Sequence, residues 1–242
     1  MTMGGGGDRP SLLSGLLELL LPRACVGCGA LGSAWCPTCL DADFDPVLHR
    51  PDPCPPGLPP LAAAASYSGS VRRAVLAAKE RDRRELDRSL GAMLATAIGI
   101  LITQPEWPSQ FGQLWLVPVP ASRSALRERG RDHVSDWTRW TVRFLQAVRI
   151  PARSVAALRR TTAGRDSVGL DAAARAVNLR GAFSMGPVRP PPPGAMVVIM
   201  DDIVTTGATL VSAGACLSTA LDLDPSQLGT VVVAATQRDR AR

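Results

Sequence analysis

Four apolar residues, two acids and a hydroxyl-rich turn restrict this chain more than any other stretch: Val197-Val198-Ile199-Met200-Asp201-Asp202-Ile203-Val204-Thr205-Thr206-Gly207-Ala208-Thr209-Leu210. An apolar run without alternation suits a strand buried on both faces, as central parallel strands are. The apolar residues that follow, Leu210, Ala213, Leu217, Ala220 and Leu221, recur at helical spacing. Strand, loop and helix in that order place the loop at the carboxyl edge of an open α/β sheet, where ligands bind.

The strand is expected to end at Met200 and the chemistry to begin with Asp201 and Asp202. Two carboxylates there can accept hydrogen bonds from a cis-diol or hold a divalent ion through water. Thr205, Thr206 and Thr209 offer hydroxyls, Gly207 lets the backbone close on a ligand, and from Ala208 onward the first helical amides face an anion. Carboxylates for a diol beside amides for a phosphate point to a ribose 5-phosphate. A plain strand–turn–helix capped by Asp or Thr would explain one acid and one threonine. It leaves the second acid and the Thr-Thr-Gly-x-Thr run without a use. Residues Val197 to Thr209 resemble the 5-phosphoribosyl-1-pyrophosphate (PRPP) motif of type I phosphoribosyltransferases.

A second signal is metal-like. Cys25-Val-Gly-Cys28, seven residues, then Cys36-Pro-Thr-Cys39 gives two tight knuckles, with Gly27, Gly29 and Pro37 suited to the turns. Four thiolates, Cys25, Cys28, Cys36 and Cys39, make a closed tetrahedral site that favours structural Zn²⁺. A [2Fe–2S] cluster or a redox dithiol are the other uses of such spacing. Cys54 stands alone in a proline-rich stretch, and Cys216 falls inside the helix after the acidic motif, where it suits packing.

Net charge is +6, and Lys79 is the only lysine, so the basicity is almost entirely arginine. A basic surface favours polyanions, but many arginines lie beside acids, and charge alone selects no partner. The beginning of the chain shows no clear positive region before an apolar core, so no secretory signal is expected, and no apolar run approaches bilayer-spanning length. A cytoplasmic protein without a membrane span is expected.

Taken in order, residues 1–10 read as a disordered leader. Residues 11–50 read as an amphipathic helix, with leucines at 12, 13, 16, 17, 20 and 21, followed by the cysteine module. Residues 51–60 read as a proline-rich linker, and 61–242 as the main domain. Within it a strand ends at Tyr67, a helix ends near Lys79, and a longer helix runs from Leu86 to Leu101. The intervening Lys79-Glu-Arg-Asp-Arg-Arg is either a solvated turn or a phosphate contact. Leu114 to Pro120 reads as a strand leading into a turn that carries Arg123, Arg127, Arg129 and Arg131, a second anion site fit for a pyrophosphate. A helix from Val134 to Val148 follows, then a strand over Ser154 to Leu158, a loop over Thr161 to Val168 and a helix from Asp171 to Leu179. His133, just before the helical stripe that opens at Val134, has no visible partner and is not expected to touch a ligand. Four consecutive prolines put Pro187 to Gly194 on the surface, and Thr230 to Thr236 closes the chain as an apolar strand. Strands alternating with helices predict a mainly parallel sheet flanked by helices.

From Leu12 to Ala235 this layout resembles the ComF/GntX family. The resemblance rests on the paired cysteines, Val117-Pro-Val-Pro120, Arg129-Gly130, Leu170-x4-Arg175-x2-Asn178-x2-Gly181-x-Phe183 and the motif at Asp201. It implies a type I phosphoribosyltransferase-like α/β fold with a small N-terminal four-cysteine zinc module. The implied pocket takes PRPP or another ribose 5-phosphate, with Mg²⁺, and the implied role is in competence and DNA uptake, with single-stranded DNA and a competence helicase as partners. Asp201 and Asp202 would hold the ribose hydroxyls and Thr205, Thr206, Gly207, Ala208 and Thr209 the 5-phosphate, while Lys79, Arg123 and Arg129 complete the binding set. The chain departs from the pattern at Arg131-Asp132-His133, where many members carry Phe-Asn-Gln, at Ser167 in place of a common Gln, and at the unpaired Cys54. An active phosphoribosyltransferase acting on a nucleobase-like acceptor is the alternative reading, and a ligand-responsive sensor a third.

Overall fold

A computed structural model describes residues 23–105, 107–108, 110–161 and 181–236. The expected leader, the leucine-rich helix, most of the loop after Thr161 and the helix over 171–179 lie outside these residues, with Ser167, Leu170, Arg175 and Asn178.

The protein is an α/β fold with a mostly parallel six-stranded sheet flanked by helices and an N-terminal cysteine cluster. Its elements are α1 (Pro37–Asp43), β1 (Phe44–Leu48), β2 (Leu61–Ser66), α2 (Gly69–Glu80), α3 (Asp87–Ile102), β3 (Gln113–Pro118), α4 (Arg123–Arg129), α5 (His133–Ala147), β4 (Ala152–Ser154), β5 (Leu158–Arg160), β6 (Phe183–Met185), β7 (Ala195–Val204), α6 (Ala208–Leu221) and β8 (Leu228–Ala235). The sheet order is β1-β2-β8-β7-β3-β4, and only the edge pair β1–β2 is antiparallel. A separate antiparallel pair is formed by β5 and β6.

Strand alternation builds two cores from one sheet. Met196, Val198 and Met200 of β7 join Leu114, Leu116, Val231 and Val233 against α2, α3 and α5. Ala195, Val197 and Ile199 join Trp115, Val117 and Val232 against α6 and the β5–β6 pair. Burial on both faces is why these strands read as unbroken apolar runs.

Four expectations are revised. β7 does not stop at Met200; it runs through both acids to Val204, because β8 pairs alongside as far as Ala235. The strand expected over Ser154 to Leu158 is two strands in different sheets. β4 ends at Ser154 because its partner β3 runs into Pro118 and Pro120, which have no N–H to extend a ladder, and the chain crosses to form β5. The arginine turn after β3 is a short helix, α4, capped by Ser122 Oγ accepting from Ala125 N at 3.1 Å and ended by Gly130 at φ 73°. Finally, Phe44–Leu48, within the span expected for the cysteine module, forms the edge strand β1 of the main sheet.

The proline-rich stretch lies against α6. A Cβ at Gly207 would meet Leu58 at 3.3 Å and Pro55 at 3.4 Å, and one at Gly214 would meet Pro59 at 3.3 Å. Prolines cannot join a ladder, but they lay apolar surface on a helix without leaving N–H groups unpaired.

Candidate functional site

The cysteine cluster is built by short-range geometry. All four sulfurs lie within 4.8 Å of one another. Tetrahedral Zn–S bonds of about 2.3 Å would set the sulfurs about 3.8 Å apart. Cys28 Sγ and Cys36 Sγ are separated by 3.8 Å, so the four cysteines could hold a zinc ion. Gly27 N and Cys36 N each donate to Cys25 Sγ at 3.3 Å. Burial pushes the Cys25 thiol up, but these backbone donors outweigh it and bring its pKa down to about 6. The Cys39 thiol is pushed up to about 12, first by its hydrogen bond with the Cys36 side chain and then by burial. Such an uneven set, one sulfur ready to ionise and one holding its proton, is what a metal ion would level by displacing protons.

The cluster is docked on the main fold. Ser70 Oγ donates to Cys39 O at 2.7 Å and accepts from Trp35 Nε1 at 3.2 Å, while Ser70 N donates to Asp43 Oδ2 at 2.6 Å. Arg73 Nε reaches Val26 O at 3.1 Å. Cys25 and Trp35 are buried in the core that includes α2 and α3. Gly27 permits this packing, since a Cβ there would sit 2.6 Å from Cys39 Sγ.

The acid pair is assembled from distant segments at the carboxyl end of the sheet. Alternation sends Asp201 with Ile199 toward the α6 side and Asp202 with Met200 toward α2. Lys79, in the last turn of α2, therefore forms an ion pair with Asp202 Oδ2. Arg160 of β5 draws the Asp201 pKa down, but burial first and the neighbouring Asp202 charge second hold that carboxyl well above the ordinary carboxylate range. Asp202 N donates to Asp201 Oδ1 at 2.9 Å, and Ile203 N donates to Asp202 Oδ1 at 2.6 Å.

Thr205 and Thr206 are exposed beyond β7, and Gly207 takes the left-handed conformation at φ 76° as the residue that caps α6. Ala208 N donates to Thr206 Oγ1 at 3.4 Å, and Ala208 and Thr209 begin the helix half-buried. This is a turn in which hydroxyls and the first amides of a 14-residue helix share one surface with two carboxylates.

Of the other candidates, Lys79 is taken up by Asp202, and Arg129 adds charge in the surroundings of His133. That imidazole is held below its ordinary pKa by burial, then by Arg131, against the opposing charge of Asp87, with smaller contributions from Arg129 and Lys79. His133 is buried, and its Nε2 has no hydrogen-bond partner among the described residues. Arg123 is exposed in the first turn of α4 and forms no ion pair among the described residues. Arg131 is committed elsewhere: its guanidinium bridges Asp87 at 2.5 and 3.1 Å and Asp136 at 3.0 Å, and Trp137 Nε1 donates to the same Asp87 at 2.8 Å. It is a tie between α3 and α5, which removes it from the expected pyrophosphate site.

Arg160 was absent from the sequence-derived candidates. It donates from Nε to Pro120 O at 2.8 Å and covers the Phe183 ring at 5.1 Å, and its charge acts on Asp201. Nothing in the local pattern Leu158-Arg-Arg160 announces that use. A cavity of about 260 Å³ lined by Pro60, Leu101, Trp107 and Leu228 opens at the other end of the strands. Its walls are apolar, and no acid lines it.

No helix among the described residues is long and apolar enough to cross a membrane. No protein-family model and no curated protein matches this chain.

Proposed function

We propose that this chain is a ComF-type, type I phosphoribosyltransferase-like protein whose sheet edge binds PRPP or another ribose 5-phosphate and whose four cysteines hold a structural zinc. The observation that carries the reading is the continuity of the site. Asp201 and Asp202 lie in the last residues of β7, which ends at Val204, Thr205 to Thr209 lead directly into α6, and Gly207 supplies the left-handed step between them. A sugar phosphate needs acceptors for hydroxyls and donors for a phosphate at neighbouring places, and this turn provides both. Asp201 and Asp202 would also be the residues to hold Mg²⁺ carried in with PRPP.

The proposed role in DNA uptake, in the cytoplasm with single-stranded DNA and a competence helicase, is what the resemblance to the ComF/GntX family implies, a resemblance carried by the paired cysteines, Val117-Pro-Val-Pro120, Arg129-Gly130 and the acidic motif. Binding to DNA of this kind should weaken steeply with salt.

One observation favours the alternative, an active phosphoribosyltransferase. Lys79 and Arg160 flank the two acids with positive charge. Cations there could stabilise a departing pyrophosphate, in a reaction driven by positioning and charge. Incubation with PRPP and each nucleobase, read as pyrophosphate release, separates the two readings.

The binding reading is tested by titrating PRPP into wild type and the Asp201→Asn/Asp202→Asn double variant, with zinc content measured on the same samples. Wild type should bind and the double variant should lose roughly tenfold or more in affinity, the scale of lost charge-assisted hydrogen bonds. Equal binding by both proteins would show that the carboxylates are not the sugar site.

A further inference from the structure

We propose that the outward ridge of α3 and α5, formed by Arg88, Arg139, Trp140, Arg143 and Phe144, binds single-stranded DNA by stacking bases on its rings and pairing phosphates with its arginines. This rests on the proposed role in DNA uptake and names the surface that meets the strand. The aromatic residues single the ridge out. Four of the five tryptophans and Phe183 are buried, and Phe44, Tyr67 and Phe111 pack against the core on the α3 side of the sheet. Trp140 and Phe144 remain. Both are half-buried, one helical turn apart on α5, and they join neither core among the described residues. They lie beside each other instead, with ring centroids 6.4 Å apart and planes tilted by 35°.

Charge gathers on the same ridge. Arg143 lies over the Trp140 ring at 4.6 Å, and Arg88 of α3 lies over Phe144 at 6.0 Å. Arg88 can reach α5 because the two helices touch at Gly91, where a Cβ would collide with Trp140. Arg88, Arg139 and Arg143 are all exposed. The acids on these helices do not cancel them: Asp87 is buried, and Asp136 is held by both Arg131 and Arg139.

A guanidinium laid on a ring adds a second flat face and keeps its N–H edge for a phosphate. Flat faces set among cations suit an unpaired strand, whose every base has a π-face and whose every nucleotide carries a phosphate. A duplex keeps its base faces stacked on one another and could use only the charge. A second copy of this chain would bring arginines against arginines.

Full-length zinc-loaded protein is titrated into labelled oligothymidylate, read by fluorescence anisotropy over a series of salt concentrations. Trp140→Ala and Phe144→Ala should each weaken binding roughly fivefold or more, the scale of one lost base–aromatic stack, and Trp140→Phe should retain most of the affinity. The Arg88→Gln/Arg143→Gln double variant should bind more weakly with a shallower salt dependence, by about one phosphate contact per arginine. Because the other tryptophans are buried, the strand should quench Trp140 fluorescence, and Trp140→Phe should abolish the quench. Zinc content and PRPP affinity should stay at wild-type levels in all four variants. If the alanine variants lower the Tm, the salt slope of the arginine variant decides, and an unchanged slope overturns the ridge. Unchanged affinity in every variant overturns it too and leaves DNA binding to another surface. A wild-type dimer that Trp140→Ala turns into a monomer without loss of DNA affinity would make the ridge a contact between copies. If wild type binds no single strand, the DNA reading itself falls and the ridge with it.

Discussion

The cysteine cluster and the acid pair are built by opposite routes. The four cysteines come from one stretch of 15 residues, and their knuckles would bring the sulfurs together in almost any fold. The acid pair depends on Lys79 at the end of α2 and on Asp201 and Asp202 of β7, with Arg160 of β5 adding charge, and only the folded chain brings these together. A ligand set written in local spacing is robust to the rest of the structure. One assembled across the fold is only as sound as the packing beneath it.

The largest expected effect tests the first half of that contrast. Apparent zinc-binding energies of small Cys-rich modules are on the order of 10 kcal/mol or more. Chelation, or Cys25→Ser, should release one zinc per chain and unfold residues 23–43, exposing Trp35 and shifting its fluorescence, while the sheet persists at lower Tm. Loss of the entire fold on chelation would mean that the module is not locally built.

Next comes the packing beneath the acid pair. Asp87 is buried and carries both Arg131 and Trp137. Asp87→Ala takes from Arg131 the most buried of its three carboxylates, leaving Asp136 and Asp82, and leaves the buried Trp137 Nε1 without its acceptor, so a loss of about 2–4 kcal/mol is expected in urea unfolding. The zinc content should be unchanged, and PRPP binding should weaken with the distortion of α5 and Arg129.

The glycine that begins α6 should follow. Gly207→Ala puts a side chain at φ 76° and against Leu58 at 3.3 Å, for a loss of about 1–2 kcal/mol. Phosphate affinity should fall with it, measured by titration with ribose 5-phosphate, because the turn and its covering proline-rich segment move together.

The smallest effect is the most specific to the acids. Folding raises the Asp201 pKa above its ordinary value of 3.8. Between the two values the folded state binds more protons than the unfolded state, so this group's contribution to stability falls as pH rises. Asp201→Asn removes that slope. Its Tm should exceed that of wild type at neutral pH and converge with it, or drop below, as pH falls toward 3.8, even as PRPP binding is lost. A stability gain paired with a binding loss is the mark of a carboxyl kept for a ligand. Parallel loss of both would make it structural.

Much of the fold was legible. The apolar runs at Ala62, Leu114, Val197 and Thr230 are strands because both of their faces are buried, and the stripe from Val134 to Leu145 is a helix because one face is. Boundaries failed where partners decided them. β7 outran Met200 because β8 was beside it, and Ser154 to Leu158 broke in two where β3 met its prolines. The Arg127 to Arg131 stretch misled for a related reason. Charge density shows that cations are present, but not that Arg131 binds Asp87 and Asp136 while Lys79 pairs with Asp202.

The sequence by itself determined the groups that the chain brings to its chemistry: four closely spaced thiols, two adjacent acids and a hydroxyl turn at the start of a helix. Spacing along the backbone is enough for these, since a knuckle or a strand–loop–helix turn is a local conformation. Only the tertiary structure decided what each acid faces. Alternation along β7 turned Asp202 toward Lys79 and sent Asp201 to the opposite face, and an ion pair made across 123 positions of chain has no local signature. The acid pair therefore has two differently guarded sides, and that asymmetry belongs to the fold.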